Sequence, residues 1–185
     1  MVWGYYCMFV SVTYGIQDCT DFDSMTSSSN KWSVETGVNT SYSNNGVSLS
    51  CASWNGMSYA TQLNNPSIIE YEITSVSIGS STEIGVFVNF WSSNDFSEDS
   101  NIKFQTNWLK SEQKLYCKEN TTKYSLPNGV TGKYLYKIYS DRIELYKDDT
   151  LVISYSTTNI KYVKFTSGNN NDKMFTFKNF KIKPL

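Results

Sequence analysis

The sequence predicts an all-β protein, an antiparallel β-sandwich of two sheets. Apolar and polar residues alternate over short segments along the whole chain, and no window of helical length has a 3.6-residue period. Polar turns rich in Asn, Asp and Gly separate these segments. Aromatic residues make up 16% of the chain, which favours strands and excludes a disordered protein.

The alternating segments are the candidate strands, each a few residues long. In chain order they are Phe9–Tyr14, Val47–Ala52, Ser58–Gln62, Ile68–Thr74, Ile84–Trp91, Ile102–Asn107, Lys114–Lys118, Lys133–Ser140, Arg142–Lys147, Leu151–Tyr155, Lys161–Thr166 and Met174–Ile182. Turns such as Asn44-Asn45-Gly46, Pro127-Asn128-Gly129 and Asp148-Asp149 lie between them. Short strands at such close intervals are typical of a sandwich or barrel.

Alternation also divides each strand between a core face and an outer face. The residues predicted to face the core are Ile84, Val86, Val88, Phe90, Ile102, Phe104, Ile143 and Leu145. Those predicted to face outward are Phe87, Asn89, Trp91, Lys103, Gln105, Asn107, Tyr116, Arg142, Glu144 and Tyr146.

The last strand changes phase, since Phe175 and Phe177 alternate in one register and Phe180 and Ile182 in the other. One extra residue near Lys178-Asn179 would produce this change, which predicts a β-bulge. We also expect Met8–Tyr14 to pair with Phe175–Ile182, because chain termini of single domains commonly lie close together.

The 185 residues are enough for a single domain, 1–185, in which 18–185 form the sandwich and 1–17 an edge strand or lead-in. With 16 basic and 17 acidic residues, the chain is not expected to bind nucleic acid or to insert into a membrane. It contains no histidine, which excludes histidine bases and most zinc sites.

Charge is divided unevenly along the chain: residues 1–100 hold one lysine and ten acidic residues, and most basic residues follow them. Strands of both halves could interleave and pair these charges, or the surface could be polarised toward a partner; we favour interleaving. Cys7, Cys19, Cys51 and Cys117 have no C-x-x-C spacing, and their disulfide state stays open between buried thiols and one bridge.

Four parts of the sequence carry a further pattern. CTDFDSMTSSSNKWSVETG has an Asp-Phe pair and a Trp about ten residues later, and NNGVSLS and IIEYEIT follow. YLYKIYSDRIELYKDDTLVISYS alternates as strands joined by turns, and FTFKNFKIKP is the last alternating segment. These parts resemble, in order, the opening, the hairpins and the closing strand of the concanavalin A-like lectin/glucanase superfamily, of the LamG-like jelly-roll kind. The resemblance covers residues 18–185 and implies a jelly roll whose last strand returns beside the first. It departs at Asp148-Asp149-Thr150, where the family usually has glycine.

Glucanases of this superfamily hydrolyse sugars with two carboxylates, carried on a strand with an E-x-D-x-x-E pattern. The sequence lacks that pattern, and Glu70 and Glu72 share a strand face as a lone pair that we interpret as solvated. We therefore expect no catalytic residues and no enzyme.

Sugar binding uses aromatic rings and planar polar side chains in a concave site. Trp91, Asn89, Gln105, Asn107 and Tyr116 have this chemistry and are predicted to face outward on neighbouring strands, as candidate ligand-binding residues. Alternatively, Phe87 and Trp91 pack under a covering loop. Of the remaining tryptophans, we expect Trp3, Trp32 and Trp54 to close the sandwich edges.

Acidic residues cluster in the segment SSNDFSEDSN, and hard oxygen ligands at such spacing can hold calcium. Asp95, Glu98 and Asp99, with Asn94 and Asn101 beside them, are the candidate calcium ligands. The alternative is a solvated acidic loop. We expect no other cofactor.

The leading functional hypothesis is a non-catalytic carbohydrate-binding or adhesion domain of a virion tail or fibre, or of a cell-surface protein, located outside the cell. Its partner would be a cell-surface glycan. The first alternative is a structural module that binds other subunits of such an assembly, because a Tyr- and Trp-rich first strand would favour a partner. A weaker alternative is a glycoside hydrolase. The sequence leaves the ligand and the oligomeric state open.

Overall fold

The structure is a computed structural model that describes residues 21–51, 55–77, 83–167 and 174–185; for residues 21, 22 and 83–87 it describes the backbone only. The strands are β1 Asp21–Asp23, β2 Trp32–Val34, β3 Val38–Ser43, β4 Gly46–Cys51, β5 Met57–Tyr59, β6 Ser67–Ser77, β7 Glu83–Trp91, β8 Ile102–Leu109, β9 Lys114–Cys117, β10 Thr122–Ser125, β11 Gly132–Ile138, β12 Arg142–Lys147, β13 Thr150–Ser156, β14 Tyr162–Phe165 and β15 Met174–Pro184. A 3₁₀ turn, Asp99–Asn101, precedes β8.

The strands form two antiparallel sheets. Sheet 1 has the order β13-β12-β11-β6-β15-β4-β3, with β1 also paired to β15. Sheet 2 has the order β10-β9-β8-β7-β14-β5-β2. The two sheets bury a common core between them, which confirms the predicted all-β sandwich.

Aromatic rings from both sheets fill the core. On sheet 1, Tyr71 stacks on Tyr134 with ring centroids 5.4 Å apart. Phe165 of sheet 2 reaches across to Tyr71 at 5.1 Å, and Phe90 reaches Tyr136 at 4.8 Å. These edge-to-face and tilted contacts are the geometries that aromatic quadrupoles prefer, and they fix the distance between the sheets.

Most predicted strands are present, and their ends differ by a few residues. The described strands that the sequence did not predict, β1, β2, β3 and β10, each pair with only one other strand and lie at sheet edges. Along β3 the side chains alternate between half-buried and exposed. Its Asn, Thr and Ser residues therefore give little hydrophobic alternation, the signal that reveals a strand.

The predicted bulge in the last strand is confirmed. The pairing of β15 with β6 shifts between Lys178 and Lys181, and Asn179 has φ of +59°. Asparagine adopts this left-handed conformation more readily than most residues. The shift lets Phe177 and Phe180 both enter the core, where each is almost fully buried.

The expected pairing of Met8–Tyr14 with the last strand stays a prediction, because residues 8–14 lie outside the described residues. Among the described strands, Phe175–Ile182 has β6 on one side and β4 and β1 on the other. The strand beside Phe180–Ile182 is Asp21–Asp23, the Asp-Phe motif itself. The last strand thus returns beside this motif, as the resemblance implies.

The spacing of that motif also has a structural basis. Trp32 Nε1 donates to Asp23 Oδ2 at 2.5 Å, and the other oxygen of Asp23 accepts from the Met25 backbone N–H at 2.9 Å. Trp32 closes an edge of sheet 2, as predicted, and packs on Phe180 with centroids 4.7 Å apart. Trp3 and Trp54 lie outside the described residues.

Glycine is dispensable at the turn between β12 and β13. Asp148 and Asp149 have φ values of +46° and +64°. Two successive positive φ values are those of a type I′ turn, which suits the twist of a hairpin and tolerates Asp. Asp148 and Asp149 therefore form the hairpin turn without the glycine that the resembling family usually has there.

Charges from the two halves of the chain do pair across the sheets, as interleaving predicts. Glu35, Glu70 and Glu72 form ion pairs with Lys164, Lys183 and Lys178, respectively. Among the described cysteines, Cys51 and Cys117 are buried free thiols; Cys7 and Cys19 lie outside the described residues. No described helix is long and apolar enough to cross a membrane.

Candidate functional site

A cavity of about 590 Å³ lies on the outer face of sheet 2, under the loop that joins β7 to β8. Hydrogen bonds hold the two ends of this loop together, since the Ser92 backbone N–H donates to the Asn101 carbonyl at 2.8 Å. The cavity is lined by Asn55, Asn89, Trp91, Phe96, Ser97, Asp99, Ile102, Gln105, Lys118 and Lys164.

A row of polar side chains crosses sheet 2, and three of them, Lys164, Asn89 and Gln105, line the cavity. The strand registers place Ser58 beside Lys164, Lys164 beside Asn89, and Asn89 beside Gln105. The exposed fraction of each is 5% or less. Polar side chains on an outer sheet face are ordinarily solvated, so the burial of this row distinguishes this part of the sheet.

Trp91 lies beneath the loop. Phe96 packs edge-on against its indole with centroids 5.3 Å apart, and only 3% of Trp91 is exposed. The structure therefore matches the covering-loop interpretation for Trp91, and the broad face of its ring is not an open platform. For Phe87 the structure describes the backbone only, so this interpretation is not tested for its side chain.

Ile102 was predicted to enter the core, and this prediction is wrong. Phe90 pairs with Phe104, but Trp91 pairs with Ile102, so Lys103 is an extra residue at a bulge. Because directly paired residues share a face, the bulge turns Ile102 to the side of Trp91. There it is half-buried and lines the cavity. The core predictions for Val88, Phe90, Phe104, Ile143 and Leu145 are confirmed.

Two buried polar atoms in the cavity lining have no hydrogen-bond partner among the described residues. They are the acceptor Asn89 Oδ1 and the donor Trp91 Nε1. Leaving such a group buried and unpaired costs about 1–3 kcal/mol, and native structures pair the large majority of them. Both atoms are enclosed by protein, so a bound molecule would reach them only if neighbouring side chains moved.

Lys164 is nearly fully buried, and its charge is balanced. Its Nζ lies 2.8 Å from Glu35 Oε2 and 3.0 Å from Glu35 Oε1. Glu35 also accepts from the Gly56 backbone N–H at 2.6 Å. The same ammonium lies 5.2 Å from the centroid of Phe96 and 5.7 Å from that of Trp91, so it fixes both rings by cation–π attraction.

The backbone N–H of Gln105 is hydrogen-bonded to a carboxylate. Glu119 Oε2 accepts its N–H at 2.9 Å, and the same oxygen is 3.6 Å from the thiol of Cys117. Burial raises the pKa of Glu119 and raises that of Cys117 to about 11. Sequence reasoning missed Lys164 and Glu35, because only strand order brings these distant residues to Asn89. It also missed Glu119 and Phe96, which lie in loops and carry no alternation signal.

Asn107 and Tyr116 complete the predicted set, and they pair directly with each other on β8 and β9. Neither is among the lining residues of the cavity. The structure thus brings Trp91, Asn89 and Gln105 together and places Asn107 and Tyr116 farther along the sheet. Asn107 Oδ1 is a further buried acceptor without a partner among the described residues.

The loop carboxylates make local hydrogen bonds. Asp95 Oδ1 accepts from the hydroxyl of Ser97 at 2.6 Å and from its backbone N–H at 3.1 Å, and these bonds lower the pKa of Asp95. In the described part of the chain, no three carboxylate or thiol side chains gather into a metal-binding cluster. Calcium binding by Asp95, Glu98 and Asp99 stays a prediction.

A second groove, of about 430 Å³, lies on the outer face of sheet 1 and contains Glu70 and Glu72. Both face outward, as predicted, but they are half-buried rather than solvated. Glu70 lies 2.5 Å from Lys183, and Glu72 lies 3.8 Å from Lys178 and accepts from Asn179 Nδ2 at 3.2 Å. Lysines therefore compensate both charges.

No protein-family model matches the chain. No curated protein matches it either. Among solved structures, the carbohydrate-binding module CBM66 from Bacillus subtilis is similar with a TM-score of 0.55 at 16% identity, over 83% of this chain and 95% of that chain. The Crh5 transglycosylase in complex with NAG gives 0.65 at 10%, over 92% and 86%. Bacillus licheniformis β-glucanase gives 0.57 at 10%, over 91% and 99%. These likenesses show a shared jelly-roll β-sandwich fold.

Proposed function

We propose that the chain is a non-catalytic carbohydrate-binding domain whose ligand lies in the cavity on sheet 2. The observation that carries the proposal is the cavity itself, which contains a row of buried polar side chains, Lys164, Asn89 and Gln105, on a sheet face that is ordinarily solvated. A concave site with a few placed polar groups is the form that small-ligand sites take.

The other lining residues favour a sugar over other polar ligands. Planar amides such as those of Asn89 and Gln105 present hydrogen-bond donors and acceptors together, as paired hydroxyl groups require. Phe96 and Ile102 add apolar surface for the C–H face of a sugar ring. One solved structure of similar fold is a carbohydrate-binding module, which supports this assignment.

Binding without hydrolysis is favoured by the placement of the carboxylates. Glycoside hydrolysis needs two carboxyl groups about 5 to 10 Å apart across the scissile bond. Among the described residues that line the cavity, Asp99 is the single carboxylate. Glu70 and Glu72 lie on the opposite outer face, and lysines compensate both. We infer from this that the domain holds a glycan and leaves it intact.

We place the domain outside the cell, on a virion tail or fibre or on a cell surface, with a cell-surface glycan as partner. A non-catalytic sugar-binding domain serves to attach whatever carries it to a glycan-coated surface. The outer strands support this setting, because β3 presents uncharged Asn and Ser side chains to solvent.

The test is a titration of the chain against a panel of host-derived polysaccharides and oligosaccharides by calorimetry. We expect binding to at least one glycan and at least a tenfold loss of affinity in Gln105→Ala, whose side chain lines the cavity. The control, Glu72→Gln on the opposite face, should bind as the wild type does, and no new reducing ends should form.

Absence of binding across the whole panel would overturn the proposal. Release of reducing ends by the wild type, lost in Glu70→Gln or Glu72→Gln, would instead identify a glycoside hydrolase acting on the face of sheet 1.

A further inference from the structure

We infer that the chain forms a two-fold dimer in which β3 of one copy pairs antiparallel with β3 of a second copy. β3 is an edge strand of sheet 1: it pairs with β4 on one side, and no described strand pairs with it on the other. Every second residue of an edge strand points its backbone N–H and C=O away from the neighbouring strand. This edge therefore offers a row of donors and acceptors to another strand.

The other edges of the described sandwich carry features that hinder such pairing. β13 has a bulge at Val152, which its pairing with β12 skips. β10 carries Lys123 in an ion pair with Glu112, and β1 and β2 are three residues long. Bulges, charges and short length are the devices by which proteins protect sheet edges. β3 has none of them, since its six residues, Val38–Ser43, pair with β4 without a register shift.

The absence of charge around β3 favours a second copy as the partner. Residues 36–69, which include β3, β4 and β5, contain no Asp, Glu, Lys or Arg, although charged residues make up 18% of the chain. When a strand pairs with a copy of itself, equal residues meet at the two-fold axis, and like charges there would repel. A partner of different sequence is commonly selected by complementary charge, which β3 does not offer.

The side chains of β3 match in a register centred on Ser41. In this register Asn39 pairs with Ser43 of the second copy, and Thr40 pairs with Tyr42 of the second copy. Asn39, Ser41 and Ser43 are exposed, whereas Thr40 and Tyr42 are half-buried. Each pair therefore joins residues of the same face, as antiparallel strands require. Pairing also removes further surface of Tyr42, which packs against the core.

Apolar surface beside β3 adds to the interface. Val34 is 42% exposed, although it is apolar. It ends β2, and a hydrogen bond from the Val38 N–H to the Glu35 carbonyl, at 3.3 Å, closes the turn from β2 into β3. Because this turn is short, Val34 lies on the same side of the sandwich as the free edge of β3. Burial of apolar surface adds to backbone bonds, which gain little when they only replace bonds to water.

The two-fold axis of this dimer has a defined direction. Residues of the same face pair with each other, so sheet 1 of one copy continues into sheet 1 of the other, and the axis is perpendicular to the joined sheet. Both cavities on the outer face of sheet 2 then open on the same side of the dimer. Two sites that face one surface bind a surface with many copies of a ligand more tightly than one site does. The dimer itself does not depend on what the cavity holds.

The test is sedimentation equilibrium of the full chain at concentrations from about 1 to about 500 μM, the range of moderate protein affinities. We expect the weight-average mass to rise with concentration from the chain mass of 21.1 kDa toward twice that value. A monomer throughout this range overturns the inference, whatever covers the edge. Growth beyond the dimer overturns it too, because pairing about a two-fold axis leaves no free β3 edge.

Charge variants at the axis locate the interface. Ser41→Lys and Ser41→Glu each place two like charges opposite each other, so each variant alone should dimerise at least tenfold more weakly than the wild type. Their equimolar mixture should recover the dimer, because Lys then faces Glu. Ser154→Lys, at an exposed position of β13, is the matched control and should dimerise as the wild type does.

Circular dichroism of each variant confirms that the fold is intact. A folded Ser41→Lys chain that dimerises like the wild type contradicts the pairing of β3, and so does a mixture of the two folded variants that stays monomeric. Loss of the dimer in Ser154→Lys would place the interface on β13 and overturn the inference as well.

Discussion

The two outer faces of the sandwich differ in whether their polar side chains have partners. On sheet 1, the outward Glu70 and Glu72 are half-buried and pair with Lys183 and Lys178. On sheet 2, the outward Asn89 and Trp91 are buried beneath a loop, with atoms that no described residue satisfies. Both faces carry grooves of several hundred cubic ångströms.

Groove size therefore does not distinguish the two faces, and hydrogen-bond satisfaction does. A face whose charges pair with each other is complete without a ligand. A face that buries an unpaired donor and an unpaired acceptor has given up stability, which native structures do at few places.

The largest expected difference between the faces concerns their ion pairs. Glu35→Ala should lower the free energy of unfolding by about 3 kcal/mol, because it leaves the buried ammonium of Lys164 without a partner. Glu70→Ala should cost at most about 1 kcal/mol, since its partner Lys183 is largely solvated. Urea denaturation of both variants measures the difference.

A double variant separates charge from packing. Glu35→Ala combined with Lys164→Met removes both charges, and we expect it to recover much of the stability lost in Glu35→Ala. If the double variant is as unstable as the single one, the cost comes from the lost bond to Gly56 or from packing, and the contrast between the faces weakens.

The next largest effect has the opposite sign. Asn89→Leu should raise the free energy of unfolding by about 1 kcal/mol, because it replaces a buried, unpaired amide oxygen by apolar atoms of similar volume. Glu72→Leu on sheet 1 should give no such gain, since it breaks an ion pair. Chemical denaturation with matched transition slopes tests this, and a destabilised Asn89→Leu would show that the amide is satisfied in solution.

The smallest effect is a difference in pH dependence. Burial raises the folded-state pKa of Glu119, beside Gln105, above its ordinary value of 4.5, whereas the hydrogen bond from Arg142 lowers that of Glu144 on the outer face of sheet 1. Glu119 therefore stabilises the fold below its unfolded pKa and loses this contribution as the pH rises. Glu144 stabilises the fold above its own unfolded pKa and loses this contribution as the pH falls.

Relative to the wild type, Glu119→Gln should accordingly gain stability as the pH rises above the ordinary value of 4.5, and Glu144→Gln should lose stability as the pH rises toward 4.5 from below. Thermal melts at several pH values measure both trends. Parallel curves for the two variants would contradict the assignment of opposite shifts.

Much of the fold follows from local sequence. Alternation reveals the strands that have one buried face, and the change of phase around Asn179 is enough to predict the bulge in β15. The bulge at Lys103 has no such signal, because Ile102 continues the apolar alternation of Phe104 and only pairing with β7 shows the shift. Edge strands such as β3 stay hidden, because they bury too little to carry a hydrophobic period.

Part of the candidate site could be predicted from the sequence, because the alternation of apolar and polar residues also shows which side chains face outward. Asn89, Trp91 and Gln105 follow from alternation on two strands that are adjacent in sequence. Glu35 and Lys164 meet through β14 and its neighbours, although they lie far apart in the chain. Contacts of this kind depend on strand order, which one sequence without its pairing pattern does not specify.

The position of β15 in sheet 1 has a consequence for the order of folding. This strand follows all other described strands in the chain, yet it lies inside the sheet and pairs with β1, β4 and β6. During synthesis, the edges of β4 and β6 that face β15 therefore stay unpaired until residues 174–184 emerge. Such sequence-distant pairing slows folding and leaves the nascent sheet open to intermolecular association, so a chain that stops before Met174 should aggregate rather than form a smaller sandwich.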